Sequence, residues 1–132
     1  MKGVQSVADA TEAVAHGIDA IAVSNHGGRQ LDRSPSPISL IAPIADAISG
    51  AVPIICDGGI RRGADIVTAL SLGASACSMG RSYLYGLGAA GEQGVERAYE
   101  MLVDEMRRTM ALCGVRTIAE IDSTLTTHHH RS

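Results

Sequence analysis

Short apolar runs that end in polar and glycine residues recur along this chain and constrain its fold. The segments GIDAIAVSN (17–25) and VPIICDGG (52–59) are rich in Val and Ile, and each ends in polar residues or glycine. The segment ASACSMGR (74–81) has fewer β-branched residues but ends in the same manner, at Gly80 and Arg81. Apolar runs of this length are typical of strands buried on both faces of a parallel sheet. We therefore predict three buried parallel strands.

Helical patterns separate these runs. They are SVADATEAVAH (6–16), ISLIAPIADAIS (38–49) and GADIVTALSL (63–72), and each is followed by a glycine, which commonly ends a helix. A longer amphipathic pattern, GVERAYEMLVDEMRRTMAL (94–112), predicts a C-terminal helix. Alternating strands and helices indicate βαβ units, and a strand spacing of roughly 20 to 35 residues suits a (β/α)8 barrel.

The length of the chain limits how much of such a barrel it can form. A TIM (β/α)8 barrel needs about 250 residues, whereas this chain has 132. We count three whole strands and the tip of a fourth at Lys2 and Gly3. The predicted fold class is therefore α/β, with parallel strands alternating with helices in about half of a TIM barrel. Chemistry in these barrels gathers at the C-terminal ends of the strands, where this sequence places its polar residues.

Composition excludes several classes of function. The formal net charge is −3, from 11 basic and 14 acidic residues that are mixed along the chain, and aromatic residues make up only 2%. We therefore predict no nucleic-acid partner. No apolar stretch approaches 18 residues and no signal peptide is evident, so we expect a cytoplasmic protein, with membrane association left open for a full-length form.

No metal site is predicted. Cys56, Cys77 and Cys113 are odd in number and lack the spacing of a disulfide framework or a zinc site, so we interpret them as ordinary thiols in apolar surroundings. The histidines of the tail, His128 to His130, are typical of a frayed terminus or a tag remnant.

The stretch SNHGGRQLD (24–32) is the first candidate site. His26 follows a buried strand directly and can exchange a proton near neutral pH, while Gly27 and Gly28 let the backbone approach a ligand. Arg29 can bind a carboxylate with two parallel hydrogen bonds. The pattern favours a small acidic substrate. The alternative is a turn in which both side chains satisfy local carbonyl and carboxylate groups.

Two further loops suggest phosphate binding. In DGGIRRG (57–63), two glycines precede a helix that begins near Gly63, and free N–H groups at a helix N-terminus favour an anion. Gly80 and Arg81 end the next strand, and phosphate sites in these barrels are commonly built from the last two such loops. The alternative for the first loop is a tight connection with solvated arginines. Lys2 fits either a charge beside a cofactor or a solvated terminal lysine.

Three long motifs then point to a family. SNHGGRQLD, DGGIRRGADIVTALSLGA and GRSYLYGLGAAGEQGV occur in order, and together they resemble the C-terminal half of the FMN-dependent 2-hydroxy acid dehydrogenases and oxidases. This group includes L-lactate dehydrogenase, lactate monooxygenase, glycolate oxidase and mandelate dehydrogenase. The resemblance covers Lys2 to about Ile121, so we expect a domain at 1–121 and a flexible tail at 122–132.

The resemblance implies roles for individual residues. His26 matches the catalytic base, and Arg29 matches the arginine that binds the substrate carboxylate. Lys2 matches the lysine beside the N1 and O2 edge of the flavin, and Ser24 matches a serine that also contacts the flavin. The residues that match the ribityl and phosphate region of FMN are Asp57, Gly58, Gly59 and Arg61, with Gly80 and Arg81 in the second phosphate loop.

The resemblance also implies partners and an extent. We expect FMN as cofactor, a small, lactate-like L-2-hydroxy acid as substrate, and oxygen, a quinone or a cytochrome as electron acceptor. DRSPSP (32–37) favours the lactate-type branch. Relatives carry a further N-terminal half, so we expect a homo-oligomer at full length, or pairing with a complementing N-terminal half. The alternative function is a non-catalytic half-barrel that at most binds flavin or phosphate.

Overall fold

A computed structural model of the chain describes residues 1–126. Four strands alternate with four helices along it: β1 (Lys2–Val4), α1 (Val7–Ala15), β2 (Ile21–Ser24), α2 (Pro37–Ile48), β3 (Ile54–Asp57), α3 (Gly63–Ser71), β4 (Ala76–Ser78) and α4 (Arg81–Leu112). Short 3₁₀ turns lie at His26–Gly28, Ile118–Glu120 and Ser123–Leu125. The strands lie side by side in chain order, and every neighbouring pair is parallel. This confirms the predicted α/β alternation, and the tip of a fourth strand is β1.

The apolar core lies between the sheet and helices α1, α2 and α3. Its largest fully buried apolar side chains are Val4, Ile21, Val23, Ile41, Ile44 and Cys56. On β3 the core residues Ile54 and Cys56 alternate with Ile55 and Asp57, which are only half-buried. Since successive side chains of a strand point to opposite faces, Asp57 lies on the face away from the helices.

Strand β1 carries an irregularity that decides where its side chains point. Lys2 is opposite Ala22 and Val4 is opposite Val23, so two steps along β1 match one step along β2. Bulges of this kind re-aim side chains. Val4 enters the core, whereas Lys2 lies on the other face. Gly3, between them, has a φ of 96°, a backbone conformation that residues with a Cβ rarely adopt.

Helix α4 differs from the prediction, which began it near Gly94. It starts at Arg81 and bends at Ala90 and Gly91, whose backbone angles are not helical. The bend folds residues 81–89 against residues 92–112, and a Cβ on Gly94 would clash with the Gly86 carbonyl. The glycines that allow this close crossing also weaken the helical pattern in the sequence, which explains why the first segment was missed.

None of the helices described in residues 1–126 is both long enough and apolar enough to cross a membrane. The 3₁₀ turn at Ser123–Leu125 packs near α3, where the Ser71 hydroxyl donates a hydrogen bond to Thr126 Oγ1 at 3.2 Å. The predicted histidine tail at 128–130 lies outside the described residues. The boundary at residue 121 stays a prediction.

Candidate active site

A row of polar side chains crosses the sheet at the C-terminal ends of its strands. Ser24, Asp57 and Ser78 are neighbours on β2, β3 and β4 because of the strand register. Lys2 Nζ lies 2.8 Å from Asp57 Oδ2 and donates a hydrogen bond to Ser24 Oγ at 3.1 Å. Ser24 Oγ donates to the same Asp57 oxygen at 2.5 Å. One carboxylate therefore fixes both the cation of β1 and the hydroxyl of β2.

This network stabilises the charged form of Asp57. Burial raises the pKa of Asp57, but hydrogen bonding from Lys2, Ser24 and Ser78, together with the positive charge of Lys2, outweighs burial, and the net pKa lies below the ordinary value of 3.8. Asp57 is therefore ionised at neutral pH and forms a true ion pair with Lys2. The side chain of Lys2 stays half-exposed, so its ammonium group is open to a ligand.

His26 lies in a strained turn immediately after β2. Its φ is 52°, a conformation that is uncommon outside glycine and clusters at functional sites. Two hydrogen bonds hold the turn: the His26 N–H donates to Ser24 Oγ at 3.1 Å, and the Gly27 N–H donates to Asn25 Oδ1 at 3.1 Å. The turn thus presents an exposed imidazole at the rim of the sheet.

Gly3 makes room for the imidazole. A Cβ built on Gly3 would lie 2.8 Å from His26 Cε1, closer than such contacts occur in proteins. The ring of His26 therefore rests on the backbone of β1, next to Lys2. Sequence reasoning did not single out Gly3, because its positive φ and its contact with the ring depend on the pairing of β1 with β2.

The predicted site residues converge on one open cavity of about 460 Å³. Nine of the ten, all except the buried Ser24, line it: Lys2, His26, Arg29, Asp57, Gly58, Gly59, Arg61, Gly80 and Arg81. Gln30, Ser78, Ser82 and Leu84 were not predicted and line it too. Among its described lining residues, four carry a permanent positive charge and one a negative charge. Such a cavity favours an anionic ligand.

The two phosphate-type loops differ in their free hydrogen-bond donors. The N–H groups of Arg61 and Arg62 donate to Asp65 Oδ2, each at 2.9 Å, and the Gly63 N–H donates to Glu105 Oε2 at 3.0 Å. The chain's own carboxylates therefore occupy the N-terminus of α3, contrary to the expectation of free N–H groups there. At α4, by contrast, Gly80 provides no side-chain cap. Free amide donors for an anion thus lie at Gly80–Ser82, while the start of α3 offers the side chain of Arg61.

The cysteines take no part in this chemistry. Cys56 and Cys77 are neighbours on β3 and β4. Burial, with nearby acidic groups, raises the pKa of Cys56 to about 11, and burial with the neighbouring Cys56 raises that of Cys77 to about 12. Both therefore remain neutral thiols at physiological pH. Cys113 is exposed, which differs from the apolar surroundings predicted for it.

Comparison with known proteins identifies relatives of this chain. The peroxisomal (S)-2-hydroxyacid oxidase GLO3 of Arabidopsis thaliana is 48% identical over 121 residues, which is 92% of this chain and 33% of that protein. An L-lactate dehydrogenase of Haemophilus influenzae (strain PittEE) is 52% identical over 121 residues, 92% of this chain and 32% of that protein. The chain spans about a third of the length of the curated relatives it matches.

A solved structure and a family model extend the match. A mutant flavocytochrome b2 with pyruvate bound superposes with a TM-score of 0.91 at 41% identity, covering 94% of this chain and 33% of that one. The model of the family described as FMN-dependent dehydrogenase matches residues 1–128. Sequence and fold agree, and the chain belongs to the FMN-dependent dehydrogenase family.

Proposed function

We propose that this chain carries the proton acceptor, the carboxylate-binding arginine and the phosphate-binding loops of an FMN-dependent enzyme that oxidises a small L-2-hydroxy acid to its 2-oxo acid. The observation that carries the proposal is the convergence of His26, Arg29 and Lys2 with the loop at Gly80–Ser82 on one cavity. The names of the relatives, which include 2-hydroxyacid oxidases and an L-lactate dehydrogenase, support the same reaction class.

The residues of this cavity fit FMN. The free N–H groups at the start of α4, together with Arg61 and Arg81, suit a phosphate dianion. Gly59 has open space where a Cβ would stand, so an extended chain can pass close to the backbone. Lys2 supplies positive charge on the same side of the sheet. When bound, FMN supplies a two-electron acceptor.

The chain's own residues then bind the substrate and take its proton. Arg29 pairs with the carboxylate of the 2-hydroxy acid, which fixes the carbon to be oxidised near the imidazole. A ring nitrogen of His26 accepts the proton, and the contact of the ring with the Gly3 backbone holds the ring in place during the transfer. Lys2 favours negative charge that develops beside it.

The substrate we propose is lactate-like. The DRSPSP segment and the Haemophilus L-lactate dehydrogenase both favour it. A relative described as a peroxisomal 2-hydroxyacid oxidase matches nearly as well, however, at 48% against 52% identity. Pyruvate, bound in the flavocytochrome b2 structure, is a 2-oxo acid whose carboxylate suits Arg29.

Titration with flavins tests the binding part of the proposal. FMN added to the purified 132-residue chain should bind with quenched fluorescence and perturbed absorbance between about 350 and 500 nm, whereas riboflavin, which lacks the phosphate, should bind at least about tenfold more weakly. Arg81→Gln should weaken FMN binding, and Arg116→Gln, which alters an arginine outside the cavity, should not. Equal affinity for FMN and riboflavin would contradict the phosphate site.

Anaerobic L-lactate tests the catalytic part. Flavin bleaching in the loaded chain should slow by about 10²-fold or more in His26→Gln, because a positioned general base is lost. His16→Gln is the matched control, since His16 is exposed at the end of α1, away from the cavity. Equal rates in both variants would remove His26 from the role of base.

The second candidate is a non-catalytic half-barrel that binds flavin or phosphate without turnover. The observation that favours it is the coverage, because the chain spans about a third of its relatives. FMN binding with unchanged absorbance after L-lactate, glycolate and mandelate would select this candidate over the enzyme.

A further inference from the structure

Ser24 differs from the other predicted site residues because it is fully buried, with 0% of its surface exposed. Its hydroxyl makes three hydrogen bonds to three separate parts of the site. It donates to Asp57 Oδ2 at 2.5 Å and accepts from Lys2 Nζ and from the His26 N–H, each at 3.1 Å.

These three bonds use the whole hydrogen-bonding capacity of the side chain. A serine hydroxyl has one hydrogen to donate and two lone pairs to accept with. The hydrogen goes to Asp57, which is ionised and therefore acts only as an acceptor. Both lone pairs are taken by Lys2 and His26.

The partners of Ser24 come from three different elements of the site. Lys2 belongs to β1, Asp57 to β3, and His26 to the turn after β2. The bond to the His26 N–H also fixes a residue whose φ of 52° is unfavourable without support. Ser24 therefore lies where the cation, the carboxylate and the base-bearing turn meet.

We propose that Ser24 is a positioning residue, which holds the His26 turn and the Lys2 ammonium in place through its hydroxyl. The proposal rests on the proposed function only for the roles of His26 as proton acceptor and of Lys2 as the positive charge beside the cofactor. This role is additional to the flavin contact that the family resemblance implies for Ser24.

Amide hydrogen exchange in the ¹⁵N-labelled, flavin-free 132-residue chain tests this role. In Ser24→Ala, the His26 N–H loses its acceptor, and its exchange should accelerate by about tenfold or more relative to the core amides of β2 and β3. Ser71→Ala is the matched control: Ser71 is also a buried, hydrogen-bonded serine but lies on α3. Removing the Ser71 hydroxyl should leave the exchange rate of the His26 amide unchanged.

Two further variants separate positioning from general loosening. Asp57→Asn keeps an oxygen that accepts the Ser24 hydroxyl, so the His26 amide should stay protected although the ion pair with Lys2 is lost. Ser24→Cys keeps most of the side-chain volume but bonds weakly, so it should accelerate His26 exchange as Ser24→Ala does. The cysteine variant decides the test if the alanine variant does not fold.

Unchanged His26 exchange in both Ser24 variants would overturn the proposal. So would equal acceleration in Asp57→Asn, because the effect would then follow the ion pair and not the hydroxyl. These readings need no flavin. A wild-type chain that fails to bind FMN would contradict the proposed function while leaving this test intact.

Discussion

Gly3 combines two requirements at a single residue. Its positive φ allows the irregular pairing that turns Lys2 toward the cavity and Val4 toward the core. Its missing side chain leaves the space in which the His26 ring lies. A residue with a Cβ would meet both a strained backbone and a steric clash, so the position selects glycine on two independent grounds.

Gly3→Ala should therefore displace the imidazole. We expect a changed chemical shift of the His26 Cε1 proton and, in the flavin-loaded chain, slower bleaching by L-lactate. Gly17→Ala is the matched control, because Gly17 also has a positive φ, of 76°, but has nothing within 4 Å of a Cβ. Both variants should lose about 1–2 kcal/mol of stability from the backbone strain. An equal change of the His26 chemical shift in Gly3→Ala and Gly17→Ala would contradict the contact between the His26 ring and Gly3.

Arg29 and Arg33 offer a second comparison at the same scale. Arg29→Lys should raise the KM for L-lactate by about tenfold, because an ammonium cannot make the paired hydrogen bonds of a guanidinium to a carboxylate. Arg33→Lys, in the same exposed loop but outside the cavity lining, should leave the KM unchanged. Steady-state kinetics measure the KM of each variant, and equal KM values would refute the proposal that Arg29 binds the substrate carboxylate.

At the scale of elements, α3 and α4 start beside the same cavity but have different uses. Glu105 of α4 reaches the Gly63 N–H and places a negative charge at the positive end of α3. A Cβ on Gly63 would also collide with the backbone at Met106, so the two helices cross closely there. The cap and the crossing give the start of α3 a structural role, which supports our proposal that an anion binds at the start of α4.

Glu105→Gln tests this division. The variant keeps a hydrogen-bond acceptor but loses the charge, so the free energy of unfolding should fall by about 0.5–1 kcal/mol. The affinity for FMN should not change, because we propose that the phosphate binds at the start of α4 and not at the start of α3. Glu96→Gln, an exposed change elsewhere on α4, should alter neither quantity. Denaturant unfolding and flavin titration supply the measurements, and a large loss of FMN affinity would place the phosphate at α3 instead.

The sequence predicts the elements that repeat a strong pattern and misses those that depend on distant partners. The Val and Ile runs of β2 and β3 identify them as buried strands, and the polar residues at their ends predict a candidate site, most of whose residues line one cavity. Strand β1 is visible only as a tip, because Lys2 and Gly3 are not typical strand residues and owe their conformation to pairing with β2. The first segment of α4 is hidden by Gly86 and Gly88, of which Gly86 serves the crossing at Gly94.

At the scale of the whole molecule, the ion pair of Asp57 links the site to stability. Because the pKa of Asp57 in the folded chain lies below its ordinary value of 3.8, folding favours the ionised form. This contribution is complete above about pH 3.8 and is lost as the pH falls through the lower, folded-state pKa, since the unfolded chain then binds the proton first.

Acid titration of stability checks this sign. As the pH falls below about 3.8, the wild-type chain should lose free energy of unfolding that Asp57→Asn does not lose. Asp46→Asn, on the exposed side of α2, should follow the wild-type curve. The denaturation midpoints of the three chains are compared between about pH 6 and about pH 2, the range in which carboxylates titrate. Parallel curves for wild type and Asp57→Asn would refute the linkage.

Within the described residues, β1 lies at one edge of the four-stranded sheet, and this position has a consequence for the affinity of the 132-residue chain. An edge strand of three residues separates from its sheet more readily than a central strand. Each separation would remove the Lys2 ammonium from the cavity and the Gly3 backbone from its contact with the His26 ring. Only molecules with β1 docked are then competent to bind. The observed dissociation constant of any ligand equals the intrinsic one divided by the docked fraction, so a mutation that merely tightens this edge would raise affinity without touching the ligand.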